Sequence, residues 1–395
     1  MKNFFFRFRS PFIFSCIGFV VLLLVVISCN KTPYKYSYSE GLKPLPNSPW
    51  LPATAYNYSN TNGSSNDLIT LGRVLFYDKN LSADNSVACG SCHQQANGFA
   101  DNKPFSTGFG GQQTTRNAHS LCNTNDSKFW DGKVGGSSGV TPVGFGGDGG
   151  GYGGAQATPI LTVPFQSHVE LNMADGNVLC SKLSALPYYP YLFNKAFQST
   201  TVSIDQIEQA LGNFIATITV SNSLYDQYAM GTGTLNSQQQ AGLAVFNGRG
   251  KCADCHMATS SFGGVDGQFE DIGLDLFYGT DKGRGGITGL SSDNGRFHVP
   301  SLKNVSLSAP YMHDGRFATL TQVVDFFSDS IHSSPNLSSA FTAHPHNTGN
   351  GYSTGGPAVP LGLTATEKSN LVAFLQTLTD NSLVTDVRYS DPFKH

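Results

Sequence analysis

Charged side chains are scarce in this chain. Asp, Glu, Lys and Arg make up 13% of its 395 residues, against ~25% in an average soluble protein. Neither sign dominates, with 24 basic and 27 acidic residues. A coiled coil, a charged disordered tail and a nucleic-acid binder with a basic face are excluded on this ground. Cysteine is sparse too: 8 residues cannot staple a disulfide scaffold of this length. What is abundant is glycine, 44 residues, well above the usual ~7%. The composition describes a loop-rich globule, and the length suggests two to three domains.

Acidic residues are missing altogether from residues 1–28, which carry Lys2, Arg7 and Arg9 ahead of an apolar run over residues 12–27. A basic stretch followed by an apolar one reads as a secretory signal. The run falls short of the ~20 residues needed to span a bilayer, although a retained transmembrane helix is the alternative. Ser28-Cys29 closes the run like a bacterial lipoprotein cleavage site, which makes Cys29 the expected lipid-anchored first residue of the mature protein. Loss of residues 1–28 removes three basic and no acidic residues and leaves the remainder at −6. Residues 29–60, rich in Tyr, Pro, Ser and Asn without periodicity, read as a tether. The expected location is the periplasm or cell envelope.

Four of the remaining cysteines form one pattern twice: Cys89-Gly90-Ser91-Cys92-His93 and Cys252-Ala253-Asp254-Cys255-His256. C-x-x-C-H is the attachment motif of c-type haem. Two thiols add to the haem vinyl groups, and the adjacent histidine becomes the proximal iron ligand. A redox dithiol does not need the histidine. A zinc ribbon would space its two pairs only ~15–20 residues apart. Two covalent haem c groups, on Cys89, Cys92 and His93 and on Cys252, Cys255 and His256, are therefore expected.

Each motif has a similar lead-in, Leu71-Gly72-Arg73-Val74-Leu75-Phe76-Tyr77 and Ala241-Gly242-Leu243-Ala244-Val245-Phe246-Asn247. Ser237 and Gln240 are placed to form a capping box at the second. Two closing helices follow by the same logic. Ser203 with Gln206 opens one carrying Ile207, Leu211, Phe214, Ile215 and Ile218, and Thr364 with Glu367 opens one carrying Leu371, Phe374, Leu375 and Leu378. The expected fold is mainly α and loop-rich, two cytochrome c-like haem domains related by duplication. They would occupy residues 61–222 and 223–395, with a hinge near residues 221–236.

Further stretches carry a resemblance. They are Leu71–Tyr77 with Asp78, Asn97-Gly98-Phe99-Ala100-Asp101, Arg116-Asn117, Phe129-Trp130-Asp131-Gly132-Lys133, Pro300-Ser301-Leu302-Lys303-Asn304-Val305, Pro310-Tyr311-Met312-His313-Asp314-Gly315-Arg316-Phe317 and Thr319-Leu320. Together with the two haem motifs, over residues 71–380, the chain resembles the bacterial di-haem cytochrome c peroxidase family. That family includes a branch that oxidises protein side chains during cofactor maturation.

The resemblance implies a division of labour. The His93 haem is the peroxidatic one, the His256 haem receives electrons, and Trp130 lies between them. Glu170, in Ser167-His168-Val169-Glu170-Leu171-Asn172-Met173, matches the family's acid/base glutamate, since a carboxyl in a poorly solvated pocket holds its proton at a raised pKa. Its partner glutamine is Gln156 or Gln166. Residues 135–154 look like a Gly-rich insertion, as flexible filler or a gate. A calcium ion is implied at Asn117, with the carbonyls of Ser308 and Pro310, a hard-oxygen set.

Two positions depart from the family. Where many peroxidases carry a distal histidine on the first haem, this chain has Phe109, so the reactive iron is expected to be open without reductive activation. At the distal ligand position of the second haem stands Phe327, neither Met nor Tyr, with His332, His344 and His346 nearby as substitutes and Met312 as a structural residue. Cys122 and Cys180 either pair or stay free. Cys122 replaces a family apolar residue, which favours a buried free thiol. The expected function is reduction of hydrogen peroxide to water with electrons from a small exported donor such as a cytochrome c, in a membrane-anchored protein, with a homodimer as a family habit. The alternatives are a maturation-type oxidase and a non-catalytic di-haem electron carrier.

Overall fold

A helix carries each lead-in. In the computed structural model, which describes residues 49, 51, 56–58, 63–123, 129–133, 159–257, 268–343, 346–347 and 353–393, α1 runs Asn66–Tyr77. Ser65 caps it, its hydroxyl accepting the Leu68 N–H at 3.1 Å. There follow α2 (Pro159–Gln166), α3 (Gly176–Ser184), α4 (Tyr189–Phe197) and α5 (Ile204–Ala216). The second half holds α6 (Leu224–Ala229), α7 (Ser237–Asn247), α8 (Leu320–Asp329), α9 (Ala365–Gln376) and α10 (Asn381–Thr385). Sheet is minimal: β1 (Phe269–Glu270) pairs antiparallel with β2 (Phe297–His298), and a second two-residue ladder joins His346–Asn347 to Ser353–Thr354. The fold is mainly α and loop-rich, as expected. These residues lie in one compact unit, Leu42–His395. Among the described residues no helix is long and apolar enough to cross a membrane. Cys29, Gln156, His344 and residues 1–28 and 135–154 lie outside the described residues.

The helix starts follow local chemistry, with two corrections. Thr364 and Glu367 form the expected reciprocal capping box of α9. Ser203 caps α5 through its hydroxyl, 3.3 Å from the Gln206 N–H, but the expected reciprocal box does not form, because Gln206 Oε1 accepts from the Ser203 hydroxyl at 3.2 Å rather than from its backbone N–H. The box at α7 is one residue earlier than Ser237–Gln240: Asn236 and Gln239 exchange bonds of 2.9 Å. Ser237 is then already helical, and Gln240 donates to the Leu235 carbonyl instead. Asn caps as well as Ser, so the sequence offered two registers and packing chose one.

The closing helices bury the predicted stripes. Ile207, Leu211, Phe214 and Ile218 are buried around α5, and Leu371, Phe374, Leu375 and Leu378 around α9. Each lead-in helix crosses its closing helix at a glycine. A Cβ at Gly72 would lie 2.0 Å from the Ala210 carbonyl oxygen and 2.8 Å from Phe214 Cβ. At Gly242 it would lie 1.9 Å from the Asn370 carbonyl oxygen and 2.7 Å from Phe374 Cβ. The α1–α5 and α7–α9 crossings thus use the same contact. The C-terminal segment then returns to the first pair. Buried Arg73 donates Nε to the Ser390 carbonyl at 2.7 Å, and Tyr77 donates to the Tyr389 carbonyl at 2.6 Å.

The crossings give a direct test. Gly72→Ala and Gly242→Ala should each destabilise the protein by about 3 kcal/mol, the upper range for overpacking. Gly286→Ala, whose Cβ meets nothing nearer than 4.0 Å, should stay within about 0.5 kcal/mol. Urea unfolding of the three variants checks this, and equal midpoints would refute the crossing argument.

Candidate functional site

Both C-x-x-C-H motifs adopt one backbone closure. The His93 N–H donates to the Cys89 carbonyl at 2.9 Å, and the His256 N–H to the Cys252 carbonyl at 2.8 Å. In each, the two thiols and the imidazole are thus gathered on a single turn. Burial pushes the thiols up, Cys89, Cys252 and Cys255 to about 12 and Cys92 to about 11. A redox-active dithiol favours the opposite shift.

His93 meets the requirement of an iron ligand. Its Nδ1 lies 3.1 Å from the Phe99 carbonyl oxygen and 3.0 Å from that of His119. Both neighbours only accept, so Nδ1 carries the proton and Nε2 keeps its lone pair. A metal-bound histidine is fixed by its other nitrogen in just this way. Burial also lowers the His93 pKa and keeps the ring neutral. These residues fit a covalently bound haem c.

Glu170 is within electrostatic reach of this first motif. Helix α2 ends at Gln166, and the chain turns so that the Glu170 N–H donates to the Ser167 carbonyl at 3.1 Å. The carboxylate is near enough to both Cys89 and Cys92 for its charge to act on them. Burial raises its pKa, and Lys133 and Ser167 oppose the rise. The loop carrying Phe109 packs on the same turn: the Phe109 N–H donates to the Val169 carbonyl at 2.7 Å. Gly108 has to be glycine there, because a Cβ would sit 1.9 Å from the same carbonyl oxygen. Gln166 is half-buried at the end of α2, one turn before Glu170.

An aromatic group joins this site to the second. The Trp130 ring lies 4.0 Å from the His119 ring and 6.4 Å from that of His313, which stacks on Phe297 at 3.8 Å. Trp130 donates Nε1 to the Asn117 carbonyl at 3.0 Å. Arg116 anchors the assembly, pairing with Asp131 at 2.6 Å and with Asp281 at 2.7 Å. His119 is the member that reasoning on the sequence passed over. Its carbonyl receives the His93 proton, its ring lies tilted on that of Trp130, and its buried Nε2 has no hydrogen-bond partner among the described residues. The available signal was its place two residues after Asn117 in a chain with only 10 histidines.

The second motif opens on a cavity of about 240 Å³. Cys252, Cys255 and His256 stand in its wall with Leu302, Leu371 and Leu375, and Trp130 and His119 reach it from the first half. Asn117, far in sequence from Ser308 and Pro310, lines the same cavity as they do. Asn117 donates Nδ2 to the Lys103 carbonyl at 2.9 Å, which leaves its amide oxygen as the acceptor. Phe327 is on the wall, packed 5.5 Å from Phe341, as is Met312, whose φ of 75° is in the left-handed region. His332 is exposed. Cys122 is buried and free, donating to the Gly98 carbonyl at 3.3 Å, and Cys180 is also free.

Comparison with known proteins gives a consistent set. Residues 66–234 match the family model described as di-haem cytochrome c peroxidase. The chain is 30% identical over 347 residues to the cytochrome-c peroxidase IdrP2 of Denitromonas iodatirespirans, covering 80% of this chain and 83% of that protein. To the cytochrome c551 peroxidase of Nitrosomonas europaea it is 32% identical over 266 residues, 66% of this chain and 72% of that protein. Among solved structures, a MauG-like protein associated with microbial copper homeostasis superposes with a TM-score of 0.68 at 29% identity, covering 89% of this chain and 97% of the other.

The Arg116 clamp generates a pH prediction. Its guanidinium holds the Asp281 carboxyl below the usual carboxylate range, against the opposing effect of burial. A depressed carboxylate contributes stability that is complete above its unfolded pKa of about 4 and is lost as pH falls below it. Arg116→Met should cost about 2–3 kcal/mol at pH 7, as for a lost charge-assisted hydrogen bond. The cost should shrink below pH 4. Thermal unfolding of both proteins across pH 3–7 measures it, and a pH-independent difference would contradict the clamp.

Proposed function

Because the chain belongs to the di-haem cytochrome c peroxidase family, we propose that it reduces hydrogen peroxide to water at a haem held by Cys89, Cys92 and His93. Electrons enter through a second haem held by Cys252, Cys255 and His256. When bound, the haems supply the iron chemistry and the electron store. The protein supplies position, proton transfer and exclusion of water. Glu170 carries this reading: it is a carboxyl of raised pKa set against the first haem motif. Such a group takes a proton from one peroxide oxygen and returns it to the other, which lets the O–O bond break unevenly. Burial favours the protonated carboxyl, and Lys133 and Ser167 act against that rise. Trp130, stacked on His119 and close to His313, is the proposed link between the haems.

The rest of the proposal follows from the sequence. The donor is a small exported electron carrier such as a cytochrome c. The protein works in the periplasm or cell envelope, tethered by a lipid on Cys29. A calcium ion sits at Asn117, Ser308 and Pro310, and a homodimer is the working assembly. The likeness to a MauG-like structure over nearly its full length supports a second reading, a maturation-type oxidase acting on a protein side chain.

Turnover of ferrocytochrome c by peroxide with the reduced holoprotein separates the two readings. Peroxide-dependent oxidation of the donor supports the peroxidase, and intact haem spectra without turnover would end it. Glu170→Gln should lower the rate ~10²–10⁴-fold, and an unchanged rate would remove Glu170 from the mechanism. Because position 109 is Phe, the resting ferric protein should show at least one high-spin iron. Two low-spin irons in its electron paramagnetic resonance spectrum would contradict an open first haem.

A further inference from the structure

Behind the first haem motif is a buried group that the proposed peroxide chemistry does not use. Tyr188 and Tyr189 are 2% and 0% exposed, and both hydroxyls donate to the same atom, Oδ2 of Asp78, each at 2.7 Å. The other oxygen of Asp78 accepts the Asn80 N–H at 2.8 Å and the Asn80 amide at 2.7 Å. Asp78 thus accepts four bonds and donates none of them, the behaviour of an ionised carboxylate. The two rings are 4.7 Å apart. The group adjoins the haem-bearing turn. Tyr189 and Cys89 are close enough for their charges to interact. Tyr77, next to Asp78, presses its ring on the turn, so that a Cβ at Gly90 would lie 2.4 Å from it.

We propose that the Tyr188–Tyr189–Asp78 group is a proton-coupled oxidation site that donates an electron to the first haem site when no external donor is available. The inference rests on the peroxidase reading. Removing an electron from a buried phenol leaves a strongly acidic cation, so oxidation is easy only if the proton leaves with the electron. Asp78 is the base already in place on each phenol. In becoming two waters, hydrogen peroxide takes two protons from solvent and two electrons from the haem centres. One tyrosine then returns one electron: it leaves the ring, the O–H bond breaks, and the proton passes to Oδ2 of Asp78. The products are a neutral tyrosyl radical and a neutral carboxyl. The carboxyl proton on Oδ2 stays hydrogen-bonded to the oxygen of the radical, ready to return, while the second phenol still donates to Oδ2. An external donor later supplies the other electron to the haem centre and also restores the radical, with the proton returning from Asp78. Burial keeps the radical from solvent and limits damage elsewhere. A purely structural role would need only that two buried phenols find acceptors, and it predicts no radical.

The test uses the haem-loaded ferric protein, mixed with hydrogen peroxide without donor and freeze-quenched for electron paramagnetic resonance. Haem absorption is followed in parallel. The expected result is an organic radical whose hyperfine structure collapses when ring-deuterated tyrosine is incorporated. The Tyr188→Phe/Tyr189→Phe double variant should lose this signal, yet keep its haem response and its turnover with excess donor. Should the double variant not fold, peptide mapping of wild type after repeated peroxide decides: oxidised tyrosine must concentrate at Tyr188–Tyr189. A haem response with no tyrosyl signal, an undiminished signal in the double variant, or oxidation mapping elsewhere would each overturn the proposal. No haem response at all would overturn the peroxidase reading together with it.

Discussion

Two helices touching backbone to backbone is the constraint on which this structure is built. At Gly72 over Ala210, and at Gly242 over Asn370, the carbonyl of a closing helix occupies the space of a side chain. Close approach brings Phe214 and Phe374 under the lead-in helices, and each helix then delivers its C-x-x-C-H turn at a set height. The sequence adjusts around that turn. Where the helix ends in Tyr77, the residue after the first haem cysteine is Gly90, since the tyrosine ring fills the place of a Cβ. In the second half, Asn247 and Ala253 stand at the corresponding positions, a smaller residue answered by a larger one.

With so little sheet, the regions between helices depend on cofactor burial and on a few polar anchors. The low charge content makes those anchors conspicuous. Arg116 reaches Asp131 in one half and Asp281 in the other, and so ties the loop of Trp130 to the wall of the second cavity. His119 stands at the same junction, its carbonyl 3.0 Å from His93 Nδ1 and its ring 4.0 Å from that of Trp130. Electron transfer between two haems needs short, rigid spacing, and a half-buried ion-pair clamp beside two rings in close contact resists displacement more firmly than loops alone.

Much of this was legible beforehand because the haem motif is local. Two thiols and an imidazole within five residues are brought together by one turn, whatever the rest of the chain does. Helix starts were legible for the same reason, and the one-residue shift at Asn236 shows the limit: Asn and Ser cap equally well, so local chemistry alone does not choose between neighbours. The calcium candidates Asn117, Ser308 and Pro310 came only from family resemblance. Nothing in their separate local sequences states that they line one cavity.

The sequence by itself determined the attachment chemistry, the two helix pairs and the residues able to carry protons, because each is set by spacing along the chain. Only the tertiary structure decided which of those residues meet. It put Glu170 beside Cys89 and Cys92, raised its pKa by burial, turned the His93 proton toward a carbonyl, and gathered Tyr188 and Tyr189 on one oxygen of Asp78. Electrostatic environment depends on neighbours distant in sequence, and packing is what selects them.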